Sequence, residues 1–201
     1  MKRIALLALL ALALPLAAFA TSIDITNSGG TLAGSNAGLT LSSSLLIAVN
    51  GLNGLGLVTG NSLGNVTFST GALASGTLKM GGTFLGGGTF TITGNGNGGI
   101  PSGTIFSGTF SGPVTWTLVP LANGTHNYTL TGVVTGVLGS GFNTSGVTVQ
   151  LTINTGRGLF NGSTTISSGD TNISVPEPGT LGLLGTGLVG IAGAMHRKFK
   201  S

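Results

Sequence analysis

Gly146-Val147-Thr148-Val149-Gln150-Leu151-Thr152-Ile153 sets an apolar residue at every second position and a hydroxyl or amide between. In an extended strand successive side chains point to opposite faces, so this period of two predicts a half-buried strand with threonine on its wet side. The same alternation occurs in Gly88–Thr93, where Phe90 and Ile92 oppose three threonines. It recurs in Pro113–Val119, where Val114, Trp116 and Leu118 oppose Thr115 and Thr117. Weaker versions surround Ile23/Ile25, Val66/Phe68, Phe106/Phe110 and Tyr128/Leu130. Glycine-rich breaks at 86–88 and 95–99 fit the turns between such strands.

Glycine and β-branched residues dominate this whole stretch, which disfavours helix. Some ten short strands so punctuated predict an all-β body, an antiparallel sandwich or jelly roll. A β-solenoid is the alternative, because Gly-Thr-apolar recurs at Gly76, Gly82, Gly88, Gly103 and Gly108. The intervals of six, six, fifteen and five lose the steady period that a solenoid needs. Trp116, on the apolar side of its strand, is expected in the core. Tyr128 and His126 share a strand face on which a sugar would have to stack.

Charged residues are only 5% of the chain, against about 25% in a typical soluble domain. The sequence pI of 10.2 misleads, because Lys2, Arg3, Arg197, Lys198 and Lys200 stand at the two ends. Between them are only Lys79 and Arg157 against Asp24, Asp170 and Glu177. No basic patch is available to bind nucleic acid. With no cysteine, disulfides, thiolate nucleophiles and thiolate metal sites are excluded.

Both ends read as targeting devices. Residues 1–20 have a positive start, an apolar run from Ile4 to Leu14 and the small-x-small pattern Ala18-Phe19-Ala20. This is the layout of a secretory signal cleaved before Thr21. Residues 21–175 then form the exported body. At the other end, residues 180–195 carry no charge and are followed by the basic tail 196–201. Sixteen helical residues span about 24 Å, short for a hydrocarbon core of about 30 Å, and Arg197, Lys198 and Lys200 can snorkel to make up the difference on the cytoplasmic side. Gly182, Thr186, Gly190 and Ala194 repeat every four residues, a small-residue face on which another membrane helix can pack closely. Just before this segment, Pro176 and Pro178 flank Glu177 and hold it extended, the conformation a protease cleft accepts.

The order Pro176-Glu177-Pro178, apolar helix, Arg197-Lys198-Phe199-Lys200 resembles the PEP-CTERM sorting signal of Gram-negative bacteria that make exopolysaccharide. The resemblance covers residues 175–201 alone. It implies recognition by an exosortase, a membrane-embedded cysteine protease or transpeptidase, after an export step that uses the secretion machinery and signal peptidase. It also implies an inner-membrane-anchored precursor and a mature form at the envelope, outer surface or extracellular matrix.

The body is poor in groups that do chemistry. A glycosidase needs two carboxylates about the scissile bond, and Asp24 and Asp170 lie at opposite ends of the body. A Ser-His-Asp triad would have to use His126, without a Gly-x-Ser-x-Gly elbow. Asp170 with Asn161 or Asn172 offers calcium only one carboxylate. Asn-x-Ser/Thr triplets at Asn65, Asn123, Asn127, Asn143, Asn161 and Asn172 follow from composition. The expectation is therefore a non-enzymatic exported protein, with no catalytic residues, cofactor or metal, associated with exopolysaccharide or biofilm. A self-assembling adhesive β protein is the alternative, with Gly146–Ile153 as its pairing segment. A cryptic hydrolase would require Asp24, Asp170 and His126 to converge.

Overall fold

The alternating stretches all form strands, and the strands close on themselves. The computed structural model describes residues 22–139, 141 and 143–174. The signal-peptide residues Ala18 and Ala20, the motif Pro176–Pro178, the small-residue face and the basic tail lie outside these. Among the described residues there is no α-helix, only two single 3-10 turns at Leu52–Gly54 and Asn97–Gly99, and no helix long and apolar enough to cross a membrane.

Eight antiparallel strands make the barrel. They are β1 (Ser22–Ser28), β3 (Gly38–Asn50), β4 (Val58–Ser69), β7 (Gly87–Asn95), β8 (Ser102–Phe110), β10 (His126–Leu138), β11 (Asn143–Asn154) and β13 (Ser168–Ser174). Their order around the wall is β11-β13-β1-β3-β4-β7-β8-β10, and β10 pairs back onto β11 to close the ring. That last ladder runs from Asn127↔Asn154 to Val137↔Asn143. The expected sandwich or jelly roll is thus corrected to a closed barrel, since a sandwich would leave two open sheets facing each other. The solenoid alternative is overturned by the same antiparallel pairing.

Five further strands, β2 (Thr31–Ser35), β5 (Leu73–Thr77), β6 (Gly81–Phe84), β9 (Val114–Pro120) and β12 (Ser163–Thr165), form a side lobe. It grows from the two longest staves, each of which serves two partners along one edge. In β10, His126–Thr131 pair with β9 while Val134–Leu138 pair with β8. In β3, Gly38–Ser42 pair with β2, and Leu45–Asn50 pair with β1. The change of partner in β3 falls at a bulge where Ser43 has φ 56°, the kind of local twist that re-aims a strand at a barrel corner. Gly30, itself at φ +79°, lies so close that a Cβ there would meet the Ser44 amide nitrogen at 2.5 Å. Only glycine fits that turn.

An eight-stranded barrel has an interior just wide enough for side chains to fill. Here Phe68, Phe90, Phe106 and Phe110 fill it, with ring centroids 5.8–6.3 Å apart. Gly132 makes room for them, because a Cβ there would stand 2.7 Å from the Phe110 ring. In the lobe the same continuous core carries a second aromatic group, Trp116, Tyr128 and Phe160, with Leu32, Leu39 and Phe84, all buried. Polar side chains interrupt the core at a few points, Asn27, Ser44 and Thr171 among them. Asn27, fully buried, donates through Nδ2 to Ser44 Oγ at 2.6 Å.

The outer wall is mostly hydroxyl and amide, with Leu45, Val133 and Val137 as exposed apolar side chains on the barrel strands. Thr115 pairs with Thr131 and Thr117 with Thr129 across β9 and β10, and Thr67 pairs with Thr91 across β4 and β7. A membrane barrel presents an apolar band outward and a polar lumen inward; here the interior is apolar and the wall mostly hydroxyl-bearing. The only charged residues among those described are Asp24 and Asp170 on the wall and Lys79 and Arg157 in turns.

Candidate functional site: the end of the closing strand

Strand β13 is hydrogen-bonded along both edges. Toward β11 the ladder runs from Thr152↔Ser168 to Thr148↔Asn172. Toward β1 it runs from Asn27↔Gly169 to Ser22↔Ser174. The strand forms because Gly169, Thr171 and Ile173 point inward while Asp170 and Asn172 point outward, and Ile173 is fully buried. The barrel's first and last strands therefore lie side by side. A cavity of about 320 Å³ opens at this end of the barrel. Buried Ile23, Leu52 and Leu138 and exposed Asn53, Ser102 and Thr104 are among its lining residues.

The residues in which sequence reasoning sought chemistry are redistributed. Asp24 pairs with Asn172 and Asp170 with Thr26, so the two aspartates are diagonal neighbours on the outer face of adjacent strands, about 7–8 Å apart by sheet geometry. Their distance in sequence concealed this, and no local signal could have revealed it. Both are exposed on the barrel's convex wall. His126 does not join them. Asp170 pairs with Gln150, Gln150 with Thr131, and Thr131 lies five residues along β10 from His126, about 17 Å at strand rise alone. The three groups of the cryptic-hydrolase alternative therefore do not converge. Asn161 is exposed in the loop before β12, and among the described residues no three of His, Asp and Glu gather at one place.

Trp116 is in the core as expected, 1% exposed, and sugar stacking on Tyr128 is closed by burial, as it is 0% exposed. Their planes stack at 4.8 Å. Their polar atoms are engaged too. Trp116 Nε1 donates to the Leu78 carbonyl at 2.8 Å, Tyr128 Oη donates to the Lys79 carbonyl at 2.6 Å, and the Phe160 amide donates to Tyr128 Oη at 3.0 Å. The six described phenylalanines are buried as well. Gly146–Ile153, the expected self-pairing segment, is not an edge: β11 lies between β10 and β13.

Residues 174–198 match the family model of the PEP-CTERM protein-sorting motif. Nothing among the curated proteins or the solved structures matches the chain. The matched stretch starts at Ser174, the last residue of β13, so barrel and motif meet without an intervening linker. The motif implies an exported, membrane-anchored precursor with an exosortase as processing partner. The chain carries a PEP-CTERM protein-sorting motif, joined directly to the strand that closes its barrel.

Proposed function

We propose that residues 22–174 are a non-enzymatic display body, carried out of the cell behind a cleaved signal peptide and released from the membrane by an exosortase-like protease. The body then resides at the cell surface or in the extracellular matrix, associated with exopolysaccharide. The match at residues 174–198 carries this reading. The outer wall supports its second half. With every described Phe, Trp and Tyr ring buried, a neutral polysaccharide would be held by hydroxyl and amide hydrogen bonds spread over rows such as Thr115–Thr131 and Thr117–Thr129. Such contacts are individually weak, near 1 kcal/mol each, and act by number. Replacing Pro176, Glu177 and Pro178 together by alanine tests the route. The expected product is an uncut, membrane-held precursor, measured by intact mass and fractionation. Normal tail removal in that variant would sink the reading.

A second reading, self-association, rests on strand β5. It pairs with β6 along one edge and carries no charge to discourage edge pairing. Its bulge between Leu73 and Ser75 and the φ of +78° at Gly76 oppose a flat ladder. Sedimentation of the purified body decides: a monomer at millimolar concentration eliminates this reading.

A further inference from the structure

We infer that the body modifies itself with age: Asn97 and Asn161 turn spontaneously into aspartate or isoaspartate, while the fold protects Asn50, Asn95 and Asn123. Each of these five stands immediately before a glycine, as does Asn53. In an Asn-Gly pair the glycine nitrogen, having lost its proton, attacks the asparagine Cγ. A C–N bond forms, the bond to the side-chain nitrogen breaks, and ammonia leaves behind a five-membered imide. Water then opens the imide at either carbonyl, giving aspartate or isoaspartate and one new negative charge. Glycine favours the attack because it has no Cβ to crowd the ring. A fold opposes it in two ways. A hydrogen bond can hold the glycine N–H, or bonds to the asparagine amide can hold the side chain away.

The structure sorts the pairs by these two restraints. Asn50 is matched with Asp24 in the ladder, and the Gly51 N–H donates to the Leu55 carbonyl at 3.0 Å. Asn95 donates through Nδ2 to the Ser62 carbonyl at 2.7 Å and accepts through Oδ1 from the Asn97 amide at 3.0 Å. Asn123 Oδ1 accepts from the Thr125 amide at 3.0 Å and its hydroxyl at 2.7 Å, and the Gly124 N–H donates to the Leu121 carbonyl at 3.0 Å. Asn53 is intermediate, because Gly54 lies in a 3-10 turn whose i→i+3 bonding engages its N–H. Asn97 and Asn161 are exposed. Among the described residues, neither their side-chain amides nor the N–H groups of Gly98 and Gly162 have a hydrogen-bond partner.

The two products fall in different places. The Asn97 turn leads directly to Pro101 and Ser102 at the cavity. Asn161 lies between two anchors, the Phe160 amide on Tyr128 Oη and the Gly162 carbonyl, which accepts from the Gly34 amide at 2.8 Å. Isoaspartate there adds a methylene to the backbone between them and loosens β12. The described residues carry two charges of each sign, so conversion at both sites takes the body from neutral to a net of minus two. Copies of the converted body then repel one another.

The experiment ages the full-length chain, purified in mild detergent, in mildly alkaline buffer and follows each asparagine by fragment-ion mass spectrometry. Asn97 and Asn161 should each gain about a dalton several-fold faster than Asn50, Asn95 and Asn123. In urea, where no hydrogen bond of the fold survives, the five rates should draw together. Isoelectric focusing of the folded parent should show bands one and then two charges more acidic. The double variant Asn97→Gln/Asn161→Gln, in which ring closure is far slower, should keep its starting band. Conversion at Asn95 or Asn123 as fast as at Asn97 and Asn161 in the folded chain overturns the inference. So does a folded chain in which Asn97 and Asn161 stay intact, or a double variant that acidifies as quickly as the parent.

Discussion

The barrel and the side lobe are both built on clustered aromatic rings, but the clusters are of different kinds. The barrel's four rings are all phenylalanine, supplied by β4, β7 and β8, and they touch edge-to-face or stacked with no polar atom among them. The lobe uses tryptophan and tyrosine, whose polar tips reach the carbonyls of Leu78 and Lys79 in the β5–β6 turn. The Tyr128 hydroxyl also accepts from the Phe160 amide in the loop after β11. A closed wall satisfies its own backbone, so its core needs only volume. The lobe is made of short strands and turns with open edges. It needs side chains that fill space and also bond the backbone of segments that no ladder holds. The difference teaches that amphipathic aromatics here are fasteners for irregular backbone rather than a ligand platform.

This contrast can be tested at decreasing cost to stability. Phe90→Ala removes the ring that meets three others. It should cost about 3–5 kcal/mol, lowering the unfolding midpoint of the whole body in denaturant titrations. Gly132→Ala forces a methyl against Phe110 and should cost about 1–3 kcal/mol, again as one global transition. Tyr128→Phe keeps the ring but leaves the Lys79 carbonyl and Phe160 amide without their partner, at about 1–3 kcal/mol. Its loss should be local, read as faster amide exchange at residues 78–80 and 158–162 with the barrel amides unchanged. A Tyr128→Phe chain that loosens β4 and β8 equally would erase the distinction between the two regions. Thr117→Val on the outer wall should change stability by no more than about 0.5 kcal/mol. A larger effect there would mean that the hydroxyl rows are structural.

Much of the strand content was legible because one face of each strand is buried, and a period of two follows directly from that. Val147, Val149, Leu151 and Ile153 all face the interior, as their spacing implied. Closure was not legible. It depends on β10 having partners on both edges and on β13 returning to β1, pairings between segments far apart in the chain whose register is fixed by bulges and inward glycines. The same limit explains the aspartates. Asp24 and Asp170 become neighbours only because the first and last strands pair. The sorting motif needed no tertiary information, since its three features are consecutive. What the sequence could not announce was that the matched stretch begins on a strand paired with the first strand of the barrel.

The four charges of the body, two of each sign, cancel to a net of zero. Two such bodies, or one body and a polyanionic matrix, therefore approach without a long-range electrostatic barrier or attraction. At physiological ionic strength a charged surface is felt over about 8 Å, and this one has almost nothing to screen. The long-range electrostatic part of any encounter with this surface should therefore change little with added salt.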